Sequence, residues 1–306
     1  MSEPFNEAIN ASTRYCAVLG HPIKHSASPA MQNAGIARLG LNWRYLAFEV
    51  RPEQLRSAIA GAGAMRFIGL NLTVPHKLLA MEMMDVLDDS ARVWGAVNTV
   101  RFEGRDEAGK WRPLGELDEA PIQIRSHGFN TDADGVARSI GEDLDLDLEG
   151  AAVLLLGAGG AGRTAALKLA SENVRELFLV NRTAEKAEAV GREIRERYPA
   201  VKVSAGYPPG KVDLLLNATS LGLRETDEIP LDEGRFQLRR TGAVYDMIYR
   251  PAQTRLLRQA KAAGCKTANG LGMLLYQGAR ALEIWSGRPA PLSEMRRALE
   301  ANLYGT

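Results

Sequence analysis

Leu156-Gly157-Ala158-Gly159-Gly160-Ala161-Gly162 closes one apolar run, Ala151 to Leu156, and opens an amphipathic segment, Ala161 to Ala170. A short apolar run without alternation is the pattern of a strand buried on both faces. The glycines after it fall as G-x-G-x-x-G. The first allows a tight turn, the second lets backbone approach a pyrophosphate, and the third lets helix and strand pack closely. The helix N-terminus that follows offers unbonded N–H groups and a partial positive charge. In this strand–loop–helix setting the motif predicts a dinucleotide site built from Gly157, Ala158, Gly159, Gly160, Ala161 and Gly162.

The next strand, Glu176 to Val180, ends in Asn181-Arg182-Thr183, with Lys186 one turn later. A site for NAD places Asp or Glu there to accept from the ribose hydroxyls. A guanidinium instead suits a 2′-phosphate, through paired charge-assisted bonds. The sequence therefore favours NADP. Basic residues at a helix start oppose the macrodipole by about a few tenths of a kcal/mol, which also favours a functional reason for them.

Outward from this loop the chain alternates short β-branched runs with longer amphipathic ones. Strands are expected at Tyr15 to Leu19, Trp43 to Val50, Phe67 to Leu72 and Val97 to Phe102, then at Val212 to Leu216 and Ala243 to Asp246. Helices are expected at Pro29 to Leu39, Glu53 to Ile59, Ala133 to Ile140, Ala184 to Arg197 and Thr254 to Ala263. This alternation predicts an α/β fold with parallel pairs. Two terminal helices, Leu271 to Trp285 and Ser293 to Leu303, follow with no strand expected between them and the second α/β unit. Glu103 to His127 carries five Gly or Pro residues among charges and reads as a long hairpin or loop on the first domain, with a disordered linker as the competing reading.

At 306 residues the chain has room for about two domains of roughly 150 residues. Apolar residues at 45% and charged residues at 25% are globular values. Lys plus Arg number 38 and Asp plus Glu 37, a net charge of +1, so nothing points to a nucleic-acid or membrane partner. Cys16 and Cys265 cannot form a disulfide framework and suit a reducing cytosol. Met1 to Ser12 lacks the basic start and apolar core of a signal peptide. His21, His25, His76 and His127 show no metal-ligand spacing, and no metal is expected. A cytoplasmic enzyme or binding protein is the expectation.

The first half carries polar residues where strands end. Ser26-Ala27-Ser28-Pro29 opens the first helix; Ser28 before Pro29 would serve as an N-cap, which leaves Ser26 unexplained. Two hydroxyls at a positive helix end would suit a substrate carboxylate. Asn71-Leu72-Thr73-Val74-Pro75-His76-Lys77 follows the Phe67 strand and places Lys77 near strand C-termini, where ligands bind in open α/β sheets. Gly95 to Thr99 opens another strand. Gly128-Phe129-Asn130-Thr131-Asp132 leads into the second domain, where Asp132 also reads as a helix N-cap.

In this order, and joined by Asn217-Ala218-Thr219-Ser220, Tyr245 to Tyr249, Asn269 to Met273 and Gln277, these motifs resemble the shikimate dehydrogenase family over most of the chain. The resemblance implies a substrate domain at 1–131, a Rossmann-like NADP domain at 132–269, and C-terminal helices at 270–306 packing back on the first domain. It implies NADP-linked interconversion of 3-dehydroshikimate and shikimate, a step toward chorismate and the aromatic amino acids. Lys77 and Asp132 would be the catalytic pair. Ser26, Ser28 and Tyr249 would meet the substrate carboxylate, and Thr73, Asn98 and Gln277 its hydroxyls. The cofactor would contact Gly157 to Gly162, Asn181, Arg182, Thr183, Lys186, Thr219, Met247 and Gly270, with Asp89 at the family's equivalent position. A homodimer stays open.

The chemistry fits those roles. A hydride leaves a secondary alcohol carbon only as the hydroxyl proton is lost, so a base must sit within hydrogen-bond reach. A lysine can serve when burial lowers its pKa against the opposing pull of a carboxylate. Three departures from the family pattern stand out: the long segment before Asn130, Ala133-Asp134-Gly135 after Asp132, and Arg250 beside Tyr249. Quinate, with one more hydroxyl, is the nearest rival substrate. A non-catalytic NADPH-binding regulator is the rival from another class, and it would have no need of Lys77 together with Asp132.

Overall fold

The computed structural model describes residues 9–118 and 121–305; most of the stretch read above for a leader, and Glu119-Ala120 of the long segment, lie outside it. The chain forms two compact units, 1–131 with 277–306, and 132–276.

The first unit begins β1 (Arg14–Gly20), α1 (Ser28–Arg38), β2 (Trp43–Glu49), α2 (Leu55–Ala64), β3 (Gly69–Leu72), α3 (His76–Leu79), β4 (Val86–Leu87) and α4 (Asp89–Trp94). It continues with β5 (Thr99–Arg105), β6 (Trp111–Pro113) and β7 (Ile124–Phe129). The sheet order is β2-β1-β3-β5-β7-β4, with β6 on β5. Parallel pairing holds for β1 with β2 and β3, but β5 runs antiparallel to β3, β6 and β7. The parallel expectation is thus corrected for half of this sheet. The long segment forms the β5–β6 hairpin, turned at Gly109 with φ +77°. Its far end is no loop: β7 lies inside the sheet between β5 and β4.

That pairing gathers charge. Glu103 and Arg125 face each other across β5 and β7, as do Arg101 and His127. Glu103 is 2% exposed and accepts from Arg101, Arg125 and His127. Burial opposes its ionisation, but those three hydrogen bonds win and hold the carboxyl at about 2. The folded pKa lies below the unfolded one, so this stabilisation is complete above about pH 4.5 and is lost as pH falls toward 2. Glu103→Gln strands the cations at a buried site and is expected to lower the unfolding free energy by about 3–5 kcal/mol at pH 7. Denaturant titration at pH 7 and pH 3 checks both statements; the variant should sit closer to wild type at pH 3.

The second unit holds α5 (Asp132–Leu144), β8 (Ala152–Leu156), α6 (Gly160–Ser171), β9 (Glu176–Val180), α7 (Ala184–Arg197) and β10 (Lys202–Ala205). Then come β11 (Val212–Asn217), β12 (Thr241–Asp246), α8 (Arg255–Ala262), β13 (Lys266–Asn269) and the start of α9 (Leu271–Ser286). Its sheet, β10-β9-β8-β11-β12-β13, is parallel throughout. Every residue of β8 is buried, as its unbroken apolar run required. Leu154 and Leu156 pack with Phe236, Val244 and Leu256 in one core. Each such side chain contributes about 1.5–3 kcal/mol when fully buried. Two strands escape the sequence pattern. β10 and β13 are edge strands of four residues, Lys-Val-Ser-Ala and Lys-Thr-Ala-Asn, too exposed to need an apolar run. The terminal helices therefore do follow a strand.

The first unit is completed by the end of α9 and by α10 (Leu292–Tyr304), which packs on α1. Trp285 is fully buried there and donates from Nε1 to the Val100 carbonyl at 3.0 Å. Gln32 of α1 donates to the Gly278 carbonyl at 2.8 Å. The division between units falls within α9, rather than at 269/270. No helix among the described residues is long and apolar enough to cross a membrane.

Candidate functional site

In the second unit the strand register does the positioning. Leu156 pairs with Val180 on one side and Asn217 on the other; Asn217 pairs with Asp246, and Asp246 with Asn269. Five strands thus end in one row. The residues that follow them are Gly157, Asn181, Ala218, Met247 and Gly270; all but Ala218 belong to the cofactor set that the family resemblance implies, as does Thr219, next after it. The chain leaves β8 toward β9 and returns to β11 on the other side, so the glycine loop sits at the topological switch point.

Loop details fit a pyrophosphate. Gly157 has φ +104°, a left-handed conformation that favours glycine. A Cβ on Gly162 would lie 2.1 Å from the Gly157 carbonyl oxygen, so the helix meets the strand end only through glycine. Gly159 and Gly160 are exposed, with open space where a Cβ would point. Gly159 is the N-cap of α6 and supplies no side-chain cap. Asn181 braces this loop: its Oδ1 accepts from Ala158 N–H at 3.0 Å and its Nδ2 donates to the Thr183 carbonyl at 2.8 Å. Arg182, Thr183 and Lys186 are exposed at the start of α7, and neither cation has an ion pair among the described residues.

Buried polar side chains hold the other strand ends. The Asp246 carboxylate accepts from Asn217 Nδ2 at 3.0 Å, Ile248 N–H at 3.1 Å and Thr254 Oγ1 at 2.7 Å. Burial pushes its pKa up against those three bonds. Asn217 Oδ1 accepts from both the N–H and the hydroxyl of Thr219. Met247 donates from its N–H to the Asn217 carbonyl at 3.0 Å, and a Cβ on Gly270 would lie 2.1 Å from the Met247 carbonyl oxygen. Tyr249 is half-buried; burial pushes its phenol up, while neighbouring Arg250 pulls it down.

The first unit gathers its candidates at one end of its sheet. Thr73 follows β3 and donates from its N–H to the Leu19 carbonyl, while Asn98 precedes β5. Asn98 is 2% exposed and is clamped to Thr131: its Oδ1 accepts from Thr131 N–H at 2.8 Å and its Nδ2 donates to Thr131 Oγ1 at 3.0 Å. The Asn98 amide therefore keeps at most one N–H for a ligand. Lys77, half-buried on α3, accepts at its carbonyl from Val97 N–H, the residue before Asn98. Ser28 lies beside Tyr45, whose hydroxyl donates to Asn71 Oδ1 at 2.7 Å. Asn71 Nδ2 donates to Thr99 Oγ1, and Thr99 to Asn98 Oδ1. One polar run thus leads from Tyr45, beside Ser28, through the sheet to Thr131, the residue bonded to Asp132.

Two cap assignments are corrected. Ser28 is the first residue of α1, after Ala27, with no side-chain cap bond to the helix. Ser26 Oγ instead lies 3.4 Å from Ser28 N–H. Asp132 is itself the first residue of α5. Gln277 is half-buried on α9 in the first unit. Asp89 also belongs to the first unit, 93% exposed and 2.9 Å from Arg92 in the first turn of α4, whose N-cap is Asp88. The sequence reading gave no role to Tyr45, Asn71, Thr131, Asn217 or Asp246. Their signal was a polar residue inside or closing an apolar strand, as in Gly-Leu-Asn-Leu of β3.

A two-unit α/β chain with a glycine loop at its switch point defines a dinucleotide-binding protein. Residues 18–100 match the shikimate dehydrogenase substrate binding domain, 136–219 the shikimate / quinate 5-dehydrogenase domain and 270–300 the shikimate 5′-dehydrogenase C-terminal domain. The shikimate dehydrogenase (NADP(+)) of Methanopyrus kandleri is 39% identical, over 97% of this chain and 98% of its own. The chain belongs to the shikimate dehydrogenase family. A solved shikimate dehydrogenase in complex with NADP+ superposes with a TM-score of 0.81 at 35% identity, over 97% of this chain and 98% of that one. The ligand-free 5-ketofructose reductase of a Gluconobacter strain superposes at 0.79 with 33% identity, over 95% and 99%.

Proposed function

We propose that this chain is an NADP-dependent oxidoreductase that interconverts shikimate and 3-dehydroshikimate, working in the cytoplasm, where its two buried, unpaired thiols suit a reducing compartment. The observation that carries the reading is the buried polar run from Tyr45 to Thr131, which passes beside the Lys77 backbone and ends one peptide bond from Asp132.

Lys77 is assigned as the group that takes the hydroxyl proton during oxidation and returns it during reduction. Asp132 is assigned as the carboxylate that orients the lysine and the same hydroxyl. Ser26, Ser28 and Tyr249 are assigned to the substrate carboxylate, and Thr73, Asn98 and Gln277 to its hydroxyls. Asn98 has one N–H to offer, so it acts as a single donor. The nicotinamide, when bound, accepts or supplies the hydride. Gly157 to Gly162 would hold its pyrophosphate, Asn181 to Lys186 the adenosine end, and Thr219, Met247 and Gly270 the strand ends beside it. Asp89 is retained from the family position only.

The test is initial-rate oxidation of shikimate and quinate, each with NADP+ and with NAD+. Shikimate with NADP+ is expected to give the highest kcat/KM. Arg182→Asp removes a cation and adds a charge that repels the 2′-phosphate, so it should lower the NADP+/NAD+ ratio of kcat/KM at least tenfold. Turnover of neither acid by a protein that binds NADP+ would sink the function. An unchanged cofactor ratio would remove Arg182 from the phosphate site.

A further inference from the structure

A cavity of about 440 Å³ lies in the first unit between α2, the sheet and the segment before β4, and shares no lining residue with the candidate site. Its size falls in the range of small-molecule sites, roughly 300–1,000 Å³. Ile59 and Phe102 give it an apolar floor, and exposed Ala60 and Ala64 keep its α2 wall low. Three guanidiniums line it: Arg56, Arg66 and Arg125. Arg125 is committed to Glu103 and stacks on Trp111. Among the described residues the other two bond only backbone carbonyls: Arg56 that of Glu82 and Arg66 that of Pro121. The lining carboxylate, Asp85, accepts at Oδ2 from the N–H and hydroxyl of Ser126 and pairs with neither arginine. Two cations beside the cavity therefore have no carboxylate partner among the described residues.

Arg66 is held there at a cost. α2 ends with Phe67 N–H bonded to the Ala62 carbonyl and Arg66 N–H to that of Gly63, so Arg66 occupies the left-handed position of a helix stop. Its φ is +60°, where glycine is the usual residue. An arginine kept in a glycine position needs a use for its side chain. We infer that this cavity binds a small organic anion with an apolar ring, an aryl carboxylate in chemical class, with its charge between Arg56 and Arg66 and its ring against Ile59 and Phe102. A guanidinium recognises a carboxylate through paired, charge-assisted bonds, and a low apolar wall strengthens them.

The probe is 3-phenylpropionate, titrated calorimetrically into wild-type protein saturated with NADP+ and shikimate, so that the candidate site is filled. Saturable binding is expected, with 3-phenylpropionamide, the neutral analogue, at least tenfold weaker. Arg66→Gly relieves the backbone and removes the cation: its Tm should be unchanged or higher, while affinity for the acid falls at least tenfold. Ala60→Leu fills the cavity from an exposed helix position and should weaken binding similarly. Shikimate turnover should stay unchanged in both. No binding by wild type, equal binding of acid and amide, undiminished affinity in both variants, or binding that appears only when NADP+ and shikimate are left out would each overturn the inference.

Discussion

Lys77→Ala is expected to lower kcat for shikimate oxidation by about 10²- to 10⁴-fold, the usual contribution of a positioned acid–base group. Binding of NADP+ should stay within twofold, because the residues assigned to the nucleotide, Asp89 apart, belong to the other unit. KM for shikimate should change less than kcat, since proton transfer is realised only in the transition state. A purely structural lysine would behave differently. The loss of its side chain would show in Tm rather than in kcat, whereas the Lys77 carbonyl anchors Val97 and, through it, Asn98. That contact is made by backbone and survives the substitution, so Tm should be unchanged. Lys77→Arg makes the argument sharper. It keeps the positive charge, but a guanidinium does not give up its proton in a protein. If the amine works as a base, the arginine variant is as inactive as the alanine one; if charge alone matters, it recovers. A Lys77→Ala enzyme within tenfold of wild type would remove the lysine from the proton path.

What the sequence made legible, and what it hid, follows from where the determinants lie. The nucleotide half was readable because a buried parallel strand and its glycine loop are local: β8 needs a run of apolar residues, and Gly157 and Gly162 are required by their own backbone surroundings. The register that sets Gly157, Thr219, Met247 and Gly270 in one row is not local. It depends on pairings between strands as far apart in the chain as Leu156 and Asn217, for which the motif residues served only as tokens. The edge strands β10 and β13 were hidden because an edge needs little apolar surface. The direction of β5 was hidden for another reason. The alternation in Val97 to Phe102 marks a strand but not its direction, and the stretch after it, Glu103 to His127, is rich in turns and charge and so looked like a hairpin or loop outside the sheet. The same segment holds Glu103, a buried carboxylate whose partners come from β7 and become visible only once the register is known. Ser28 and Asp132 were read as caps because Ser and Asp favour that position; in the fold each lies one residue inside its helix, which leaves its side chain for the polar run or the proposed chemistry.

Gly162→Ala should be the most damaging single methyl group in the second unit. Its Cβ would meet the Gly157 oxygen at 2.1 Å and the Gly157 carbonyl carbon at 2.7 Å, both backbone atoms. No side chain can rotate away, so either α6 or the turn after β8 must move by about 1 Å, a displacement that can cost roughly 10²-fold when it misplaces a reacting group. The expected result is a fall of about 100-fold in kcat/KM for NADP+, together with about 1–3 kcal/mol of lost stability from overpacking. Because both changes arise together, this variant alone does not separate a damaged fold from a damaged nucleotide site. Gly159→Ala does. That residue has φ −75°, a value alanine adopts freely, and nothing within 4 Å of the added methyl. The stiffer unfolded chain contributes about 0.4–1 kcal/mol of stability, while alanine is a poorer N-cap than glycine by a similar amount, so folding should change little. The methyl nevertheless projects into the open space at the mouth of α6, where the pyrophosphate must approach backbone. Affinity for NADP+ measured by fluorescence titration should therefore fall at least tenfold in a protein whose Tm stays close to that of wild type. A Gly159→Ala protein that binds NADP+ normally would mean that the phosphates do not rest on this turn, whatever the motif says.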